Sequence, residues 1–322
     1  MSSNGKGSTR ILVVRLGAMG DVLHALPAVA SLKHNFPGAQ LTWLIKPQWA
    51  PLLESNAFVD RIVLLRRDLP RGLFSMWRDL RAEDYDFAVD FQGLLQSAVL
   101  ASAAHPDRLF GFHHSQVRER AAAAFYSSKI VSPSAHVVDR NLDLAVAAGA
   151  SSLLHTFPLP AGTPEGQLPE GDFVLACPLA GWRSKQWPLK HYQVLAARLR
   201  KELGIPLVLN GPSGCAFPLV PDGVLHCSGL PGLIDATRRA AAVLGVDSGP
   251  MHLAAALGKP GVAIFGPTDP ARNGPYGGSL QVLRNPGAVT TYKRGMAIDD
   301  NMRAVGPDQV FAVLKASLRC LV

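Results

Sequence analysis

The sequence has few cysteines, few charges and no long apolar run, and each shortage removes a class of protein. Four cysteines stand in 322 residues, at Cys177, Cys215, Cys227 and Cys320, with no CxxC pair and no Cys/His ligand spacing. Buried reduced thiols are therefore the expectation, not a disulfide framework or a metal centre. Aromatic residues make up 7% and charged residues 17%, against 48% hydrophobic, which is a globular composition and not a disordered one. No stretch reaches the ~18–20 uninterrupted apolar residues of a membrane span. The leader Met1–Ser8 is polar and lacks the apolar core of a secretory signal, so it is set aside from fold reasoning and the expected location is the cytoplasm.

The net charge is +8, spread evenly: 16 Lys/Arg against 13 Asp/Glu over residues 1–160, and 16 against 11 over 161–322. Basic residues are not interleaved with aromatics in the way that stacks bases, so no nucleic-acid partner is expected. Phosphorylated small molecules or an anionic membrane surface fit the charge.

Short Val/Ile/Leu runs alternate with helix-period segments, which reads as an α/β chain of βαβ units. In the first half the expected strands are residues 10–16, 40–45, 61–65 and 87–91, with helices from about 21 to 36 and 94 to 104. Residues 155–172 are rich in turn formers and lose the periodicity, which places a linker there. A second set follows, with strands at 173–177, 206–210, 242–245 and 262–265. Its helices lie near 189–203, 233–240 and 251–257, and a last one near 308–318. The expected domains are 1–158 and 165–305, two Rossmann-like αβα units facing a cleft suited to two substrates.

Three loops carry chemistry. The first, Leu16-Gly17-Ala18-Met19-Gly20-Asp21, joins a strand to a helix. Its spacing is not GxGxxG, and no acidic residue for a ribose follows about twenty positions on, which disfavours a dinucleotide oxidoreductase. Asp21 reads either as a helix N-cap or as a carboxylate able to take a proton from an attacking hydroxyl. His24, one turn on, is a rival base or a packed helix histidine. The second loop, Leu179 to Pro188, places Arg183 and Lys185 after a strand, as a diphosphate site or as a solvated basic loop pinned by Trp187-Pro188. The third, Gly245 to His252, puts Asp247, Ser248 and Gly249 at a helix start, an anion site by geometry, with His252 in the first turn. Gly266-Pro267-Thr268-Asp269-Pro270 is a further loop on the same edge. The one DxD, Asp84-Tyr85-Asp86, reads as a turn, so no metal and no cofactor are expected.

With these loops in place the chain resembles glycosyltransferase family 9, the bacterial heptosyltransferases. The resemblance lies in residues 19–28, in Tyr85 to Leu94, in Lys185-Gln186-Trp187-Pro188, in Val246 to His252 and in Gly266 to Pro270, in order along the chain. It implies a GT-B fold whose final helix, about 308–320, crosses back onto the first domain. It also implies metal-independent inverting transfer from ADP-heptose, a substrate and not a cofactor, to the Kdo of a lipid-linked lipopolysaccharide acceptor. That acceptor would lie at the inner face of the inner membrane, with the protein peripheral there and no obligate protein partner. Asp21 would be the general base. Lys185, Ser248 and Gly249 would hold the diphosphate, Asp247 the heptose hydroxyls and His252 the nucleotide side, with Thr268 in the same donor site.

Gly20, His24, Gln92, Arg66 and Arg67 are the acceptor-side candidates. The basic stretch Arg61, Arg66, Arg67, Arg71, Arg78 and Arg81 would meet acceptor carboxylates and phosphates, or is simply a solvated face. The chain departs from the family pattern at Asn210 to Ala216, which lacks an acidic residue to meet the adenosine ribose, and at Gln96. The alternatives are a relative using another nucleotide sugar or acceptor, an oxidoreductase, and a non-catalytic two-lobed binder.

Overall fold

The computed structural model describes residues 8–66, 70–214 and 220–319. The chain divides into two compact units, the first ending at Pro160 and the second beginning at Ala161.

The first unit runs β1 (Arg10–Val14), α1 (Met19–Asn35), β2 (Gln40–Ile45), β3 (Arg61–Leu64), α2 (Pro70–Leu80), β4 (Phe87–Asp90), α3 (Leu95–Ala103), β5 (Arg108–Phe112), β6 (Ser128–Ile130) and α4 (Val137–Ala147). Its six strands lie in the order β3-β2-β1-β4-β5-β6, and every pairing is parallel. Ile11, Leu12, Val13 and Val14 are wholly buried because helices cover both faces of a parallel sheet. β1 stops at Val14, short of the expected Leu16, because the Leu16 amide turns out of the ladder and donates to Gln92 Oε1 at 3.0 Å.

The second unit runs β7 (Val174–Cys177), α5 (Leu189–Leu203), β8 (Leu207–Pro212), β9 (Gly223–Ser228), α6 (Leu230–Arg239), β10 (Ala242–Val246), α7 (Gly249–Ala256), β11 (Gly261–Phe265), α8 (Pro270–Asn273), β12 (Leu280–Arg284), α9 (Asp300–Ala304) and α10 (Pro307–Arg319). Its parallel sheet has the order β12-β11-β10-β7-β8-β9. Counted within each unit, both sheets follow one doubly wound order. Each therefore has a switch point, between β1 and β4 in the first and between β7 and β10 in the second. Loops leaving the carboxyl ends of such neighbouring strands diverge to opposite faces and open a crevice for ligands.

The turn-rich segment after α4 is tied down at both ends. Asn56 Nδ2 donates to the Pro158 carbonyl at 2.9 Å in the first unit. On the other side Thr163 N donates to the Pro231 carbonyl at 3.2 Å. Gly162 between them has φ +83°, and a Cβ there would lie 2.6 Å from the Pro231 carbonyl oxygen, so only glycine fits. The Glu165 carboxylate then accepts from Gly229 N at 2.6 Å and Gly232 N at 3.2 Å, satisfying amides at the start of α6.

The last helix, α10, is amphipathic. Val310, Phe311 and Leu314 of α10 are buried in one core cluster with Trp187, Tyr192, Leu195, Leu199 and Val246, all of the second unit. Arg198 of α5 pairs with Asp308 at 2.6 Å and lies over the Phe311 ring at 4.0 Å. The apolar stripe of α10 thus packs into the core of the second unit.

Burial pushes the Cys177 thiol up to about 12, so it stays protonated and inert. Cys215 and Cys320 lie outside the described residues. No helix among the described residues is long and apolar enough to cross a membrane.

Phe311→Ala should lower unfolding free energy by ~3–5 kcal/mol, the usual cost of emptying a packed aromatic site. Urea unfolding followed by far-UV circular dichroism checks this; a loss below ~1 kcal/mol would show that α10 is only an appendage, as surface substitutions are.

Candidate functional site

In the first unit the loop after β1 is organised by a buried arginine. Arg15 is 5% exposed, and its Nη2 pairs with Asp21 Oδ1 at 2.7 Å. Its Nε donates to the Asp21 carbonyl at 3.2 Å, and its Nη1 to the Phe91 carbonyl at the end of β4. Asp21 is the third residue of α1, and the N-cap is Ala18, whose side chain accepts nothing. Asp21 Oδ2 itself accepts from the Ala18 amide at 3.1 Å, the reciprocal half of a capping box. The carboxylate is held from two sides and still has about a third of its side chain exposed. Gly17 turns this loop at φ +133°, with the Trp49 indole where a side chain would stand.

Gln92, Gly20 and His24 lie around this loop. Gln92 Oε1 fixes the Leu16 amide, and its own amide donates to Asp90 Oδ1 at 2.8 Å. Asp90 is fully buried and also accepts from Tyr126 Oη at 2.7 Å and Ser97 Oγ at 2.8 Å. Burial raises its carboxyl above the usual range against the opposing pull of these hydrogen bonds. Burial and the Asp90 charge in turn push the Tyr126 phenol up. Gly20 is the second residue of α1. His24 is 5% exposed, edge-on to His136 at 5.9 Å, with its carbonyl accepting from Asn141 of α4 at 2.9 Å. Arg66 is exposed just beyond β3, and Arg67 lies outside the described residues.

In the second unit three loops meet on one carboxylate. Asp247 follows β10 and is 7% exposed. Lys185, in a 3₁₀ turn (Arg183–Lys185) after β7, places Nζ 2.6 Å from Asp247 Oδ2. Thr268, after β11, donates its hydroxyl to the same oxygen at 2.5 Å. His252 Nε2 of α7 lies 3.9 Å from Asp247 Oδ1. Ser248 is the N-cap of α7, and its carbonyl accepts from Met251 N and His252 N. Its Oγ is buried with no hydrogen-bond partner among the described residues. A buried hydroxyl left unpaired beside a helix N-terminus suits an anionic ligand. The structure therefore brings Lys185, Asp247, Ser248, Gly249, His252 and Thr268 together at one end of one sheet.

The expected pinning of the lysine loop is real. Trp187 is 2% exposed, donates Nε1 to the Val305 carbonyl at 2.8 Å and stacks edge-on against Tyr192 at 4.8 Å. Several neighbours escaped the sequence reading. The Lys185 ammonium lies over the Trp182 ring at 4.3 Å, and the Arg294 guanidinium sits 5.7 Å from the same ring. Arg294 belongs to a strap after β12. That strap is held by Thr291 N to the Pro267 carbonyl at 2.7 Å and by Asp299 N to the Ser184 carbonyl at 3.3 Å. No sequence spacing announces this strap. Arg15 did leave a signal, a charge terminating an all-apolar strand. At the end of β8, Asn210 Oδ1 accepts from Ser228 Oγ at 3.0 Å and lies 2.8 Å from His226 Nδ1. Asp84 and Tyr85 have no regular structure and Asp86 is a bend before β4, accepting from Arg10 N at 2.8 Å. No cluster of three or more His, Cys, Asp or Glu that could hold a metal occurs among the described residues.

The sequence model of glycosyltransferase family 9 (heptosyltransferase) matches residues 73–215 and 219–297. Lipopolysaccharide heptosyltransferase 1 of Escherichia coli is 29% identical over 303 residues, 86% of this chain and 94% of the relative. The protein of that name from Pseudomonas aeruginosa is 29% identical over 299 residues, 84% of this chain and 82% of its own. Among solved structures, E. coli heptosyltransferase WaaC with ADP superposes with a TM-score of 0.78 at 24% identity, covering 96% of this chain and all of that one. E. coli ADP-heptose lps heptosyltransferase II gives 0.76 at 22% identity, covering 97% and 99%. The fold is thus that of the GT-B class, two Rossmann-like α/β units, and the chain belongs to glycosyltransferase family 9, the heptosyltransferases, as a glycosyltransferase.

Proposed function

We propose that the chain transfers heptose from ADP-heptose to the Kdo of the lipopolysaccharide inner core, with inversion at the anomeric carbon. The observation that carries this reading is the convergence of Lys185, Asp247, Thr268 and His252 at the carboxyl ends of β7, β10 and β11. Two relatives named lipopolysaccharide heptosyltransferase 1 support the acceptor class, and a neighbour named as heptosyltransferase WaaC with ADP-2-deoxy-2-fluoro heptose supports the donor.

The chemistry follows from the side chains. Lys185, the Ser248 hydroxyl and the α7 N-terminus hold the diphosphate and take up the charge that grows on it as the C1–oxygen bond breaks. Asp247, with Lys185 drawn onto the phosphates, is free to accept from sugar hydroxyls. ADP leaves with the bonding pair, the acceptor oxygen bonds to C1 from the opposite face, and Asp21 takes its proton. Lys185 and the helix end supply the positive charge, so no divalent ion is required. His252 lies on the nucleotide side; Gly20, His24, Gln92, Arg66 and Arg67 belong to the acceptor side. The acceptor is lipid-linked, and the protein works at the inner face of the inner membrane.

One observation favours a second reading within the family. Residues 210–216 carry no acidic side chain to meet an adenosine ribose, which would admit another nucleotide.

Incubation with ADP-heptose and a Kdo-terminated acceptor should release ADP equally with and without EDTA, while GDP- and UDP-sugars give none. Release from GDP- or UDP-sugars alone would favour the second reading, and loss in EDTA would refute metal independence. Asp21→Asn should lower kcat by ~10²–10⁴, the usual contribution of a general base, with ADP affinity kept. Unchanged turnover would remove Asp21 from the mechanism.

A further inference from the structure

Helix α2 carries a face that the transfer chemistry does not use. Met76 and Leu80 are 4% and 1% exposed and bury its inner side. Phe74, Trp77, Arg78 and Arg81 fall at i, i+3, i+4 and i+7, so they share the opposite, outward side. Phe74 is 63% and Trp77 42% exposed, and the Arg78 side chain is 70% exposed. The two rings stand 6.2 Å apart, and the Arg81 guanidinium lies over the Trp77 ring at 5.1 Å. The outward face of a helix in a water-soluble protein is ordinarily polar. Here it is a pair of large aromatics bordered by arginines.

The charge of this stretch of sequence points to the occupant. Residues 61–81 hold six arginines against two aspartates. Of the acids on hand, Glu83 is taken by Arg61 at 2.9 Å, and Asp79 reaches Arg78 only at 3.8 Å. Aromatic rings that prefer the boundary between water and hydrocarbon, set among guanidinium groups that prefer phosphate, match an anionic phospholipid surface on both counts. We infer that the outward face of α2 docks on an anionic bilayer, with Phe74 and Trp77 entering the headgroup layer and the arginines meeting lipid phosphates. This deepens the reading of a membrane-borne acceptor given above, because it names the surface by which the enzyme would lie against that membrane. Its test uses neither donor nor acceptor, so it stands or falls apart from the transfer reaction.

Flotation of the full chain with vesicles provides that test, comparing phosphatidylcholine alone with phosphatidylcholine mixed with phosphatidylglycerol. The parent protein should float with the mixed vesicles, remain behind with phosphatidylcholine alone, and dissociate as salt is raised. Phe74→Ser with Trp77→Ser should weaken flotation on the order of tenfold or more, the effect of withdrawing two rings from an apolar layer. Arg78→Glu with Arg81→Glu should abolish the preference for the anionic lipid while leaving the rings in place. Far-UV circular dichroism and the thermal midpoint should match the parent in both double variants, since none of the four side chains is buried; if either fails to fold, the other carries the comparison. Failure of the parent to float, or flotation of both double variants at the parent's level, would overturn the inference. So would a parent dimer in solution that the Phe74/Trp77 variant lacks, since the face would then be a self-interface.

Discussion

A single buried carboxylate draws three loops of the second unit to one place. Asp247 sits at the end of β10, where burial makes an unpaired charge costly, and Lys185 and Thr268 reach it from the strands on either side. Because β7, β10 and β11 are parallel neighbours, their carboxyl ends lie side by side, and the loops need only short reaches to converge. The cost of holding Lys185 in place falls on apolar contacts elsewhere: Trp187 locks the loop into a core that α5 and α10 complete. The packing of α10 in its own unit therefore bears on the site as well as on stability.

The first unit solves a related problem differently. Arg15 is nearly buried and bonds the carboxylate and carbonyl of Asp21 and the carbonyl of Phe91, so it joins the loop after β1 to the end of β4 across the switch point. Gln92 repeats the tie through the Leu16 amide, with Asp90, Ser97 and Tyr126 stacked beneath as a closed hydrogen-bond network. Such a network fixes geometry because every member is engaged. The result is a carboxylate with a set direction and an exposed edge, which is what a proton acceptor needs.

Short apolar runs made β1, β2, β3, β4, β7, β8, β10 and β11 legible, whereas β5, buried from Leu109 to Phe112, was missed because Phe and Gly replace the Val/Ile/Leu run. The edge strands β6, β9 and β12 were not legible either, since exposed Lys129 and Gln281 and the buried polar His226 dilute the pattern. Helices α2 and α4 escaped for a similar reason, their apolar positions being interrupted by Arg and Asp. The residues that gather at Asp247 were legible because they lie in loops and turns that follow strands. Arg294 and Glu165 were not, because each acts through a contact across chain distance that no spacing encodes.

The claim on which the rest depends is that the Asp247 cluster is built to receive a pyrophosphate through Lys185. Calorimetric titration of ADP against AMP addresses it directly. The β-phosphate should tighten binding by roughly 10- to 100-fold, the range of one or two charge-assisted hydrogen bonds, and Lys185→Ala should close that gap. Equal affinity for ADP and AMP in the parent protein, or a gap that survives the loss of Lys185, would contradict the account.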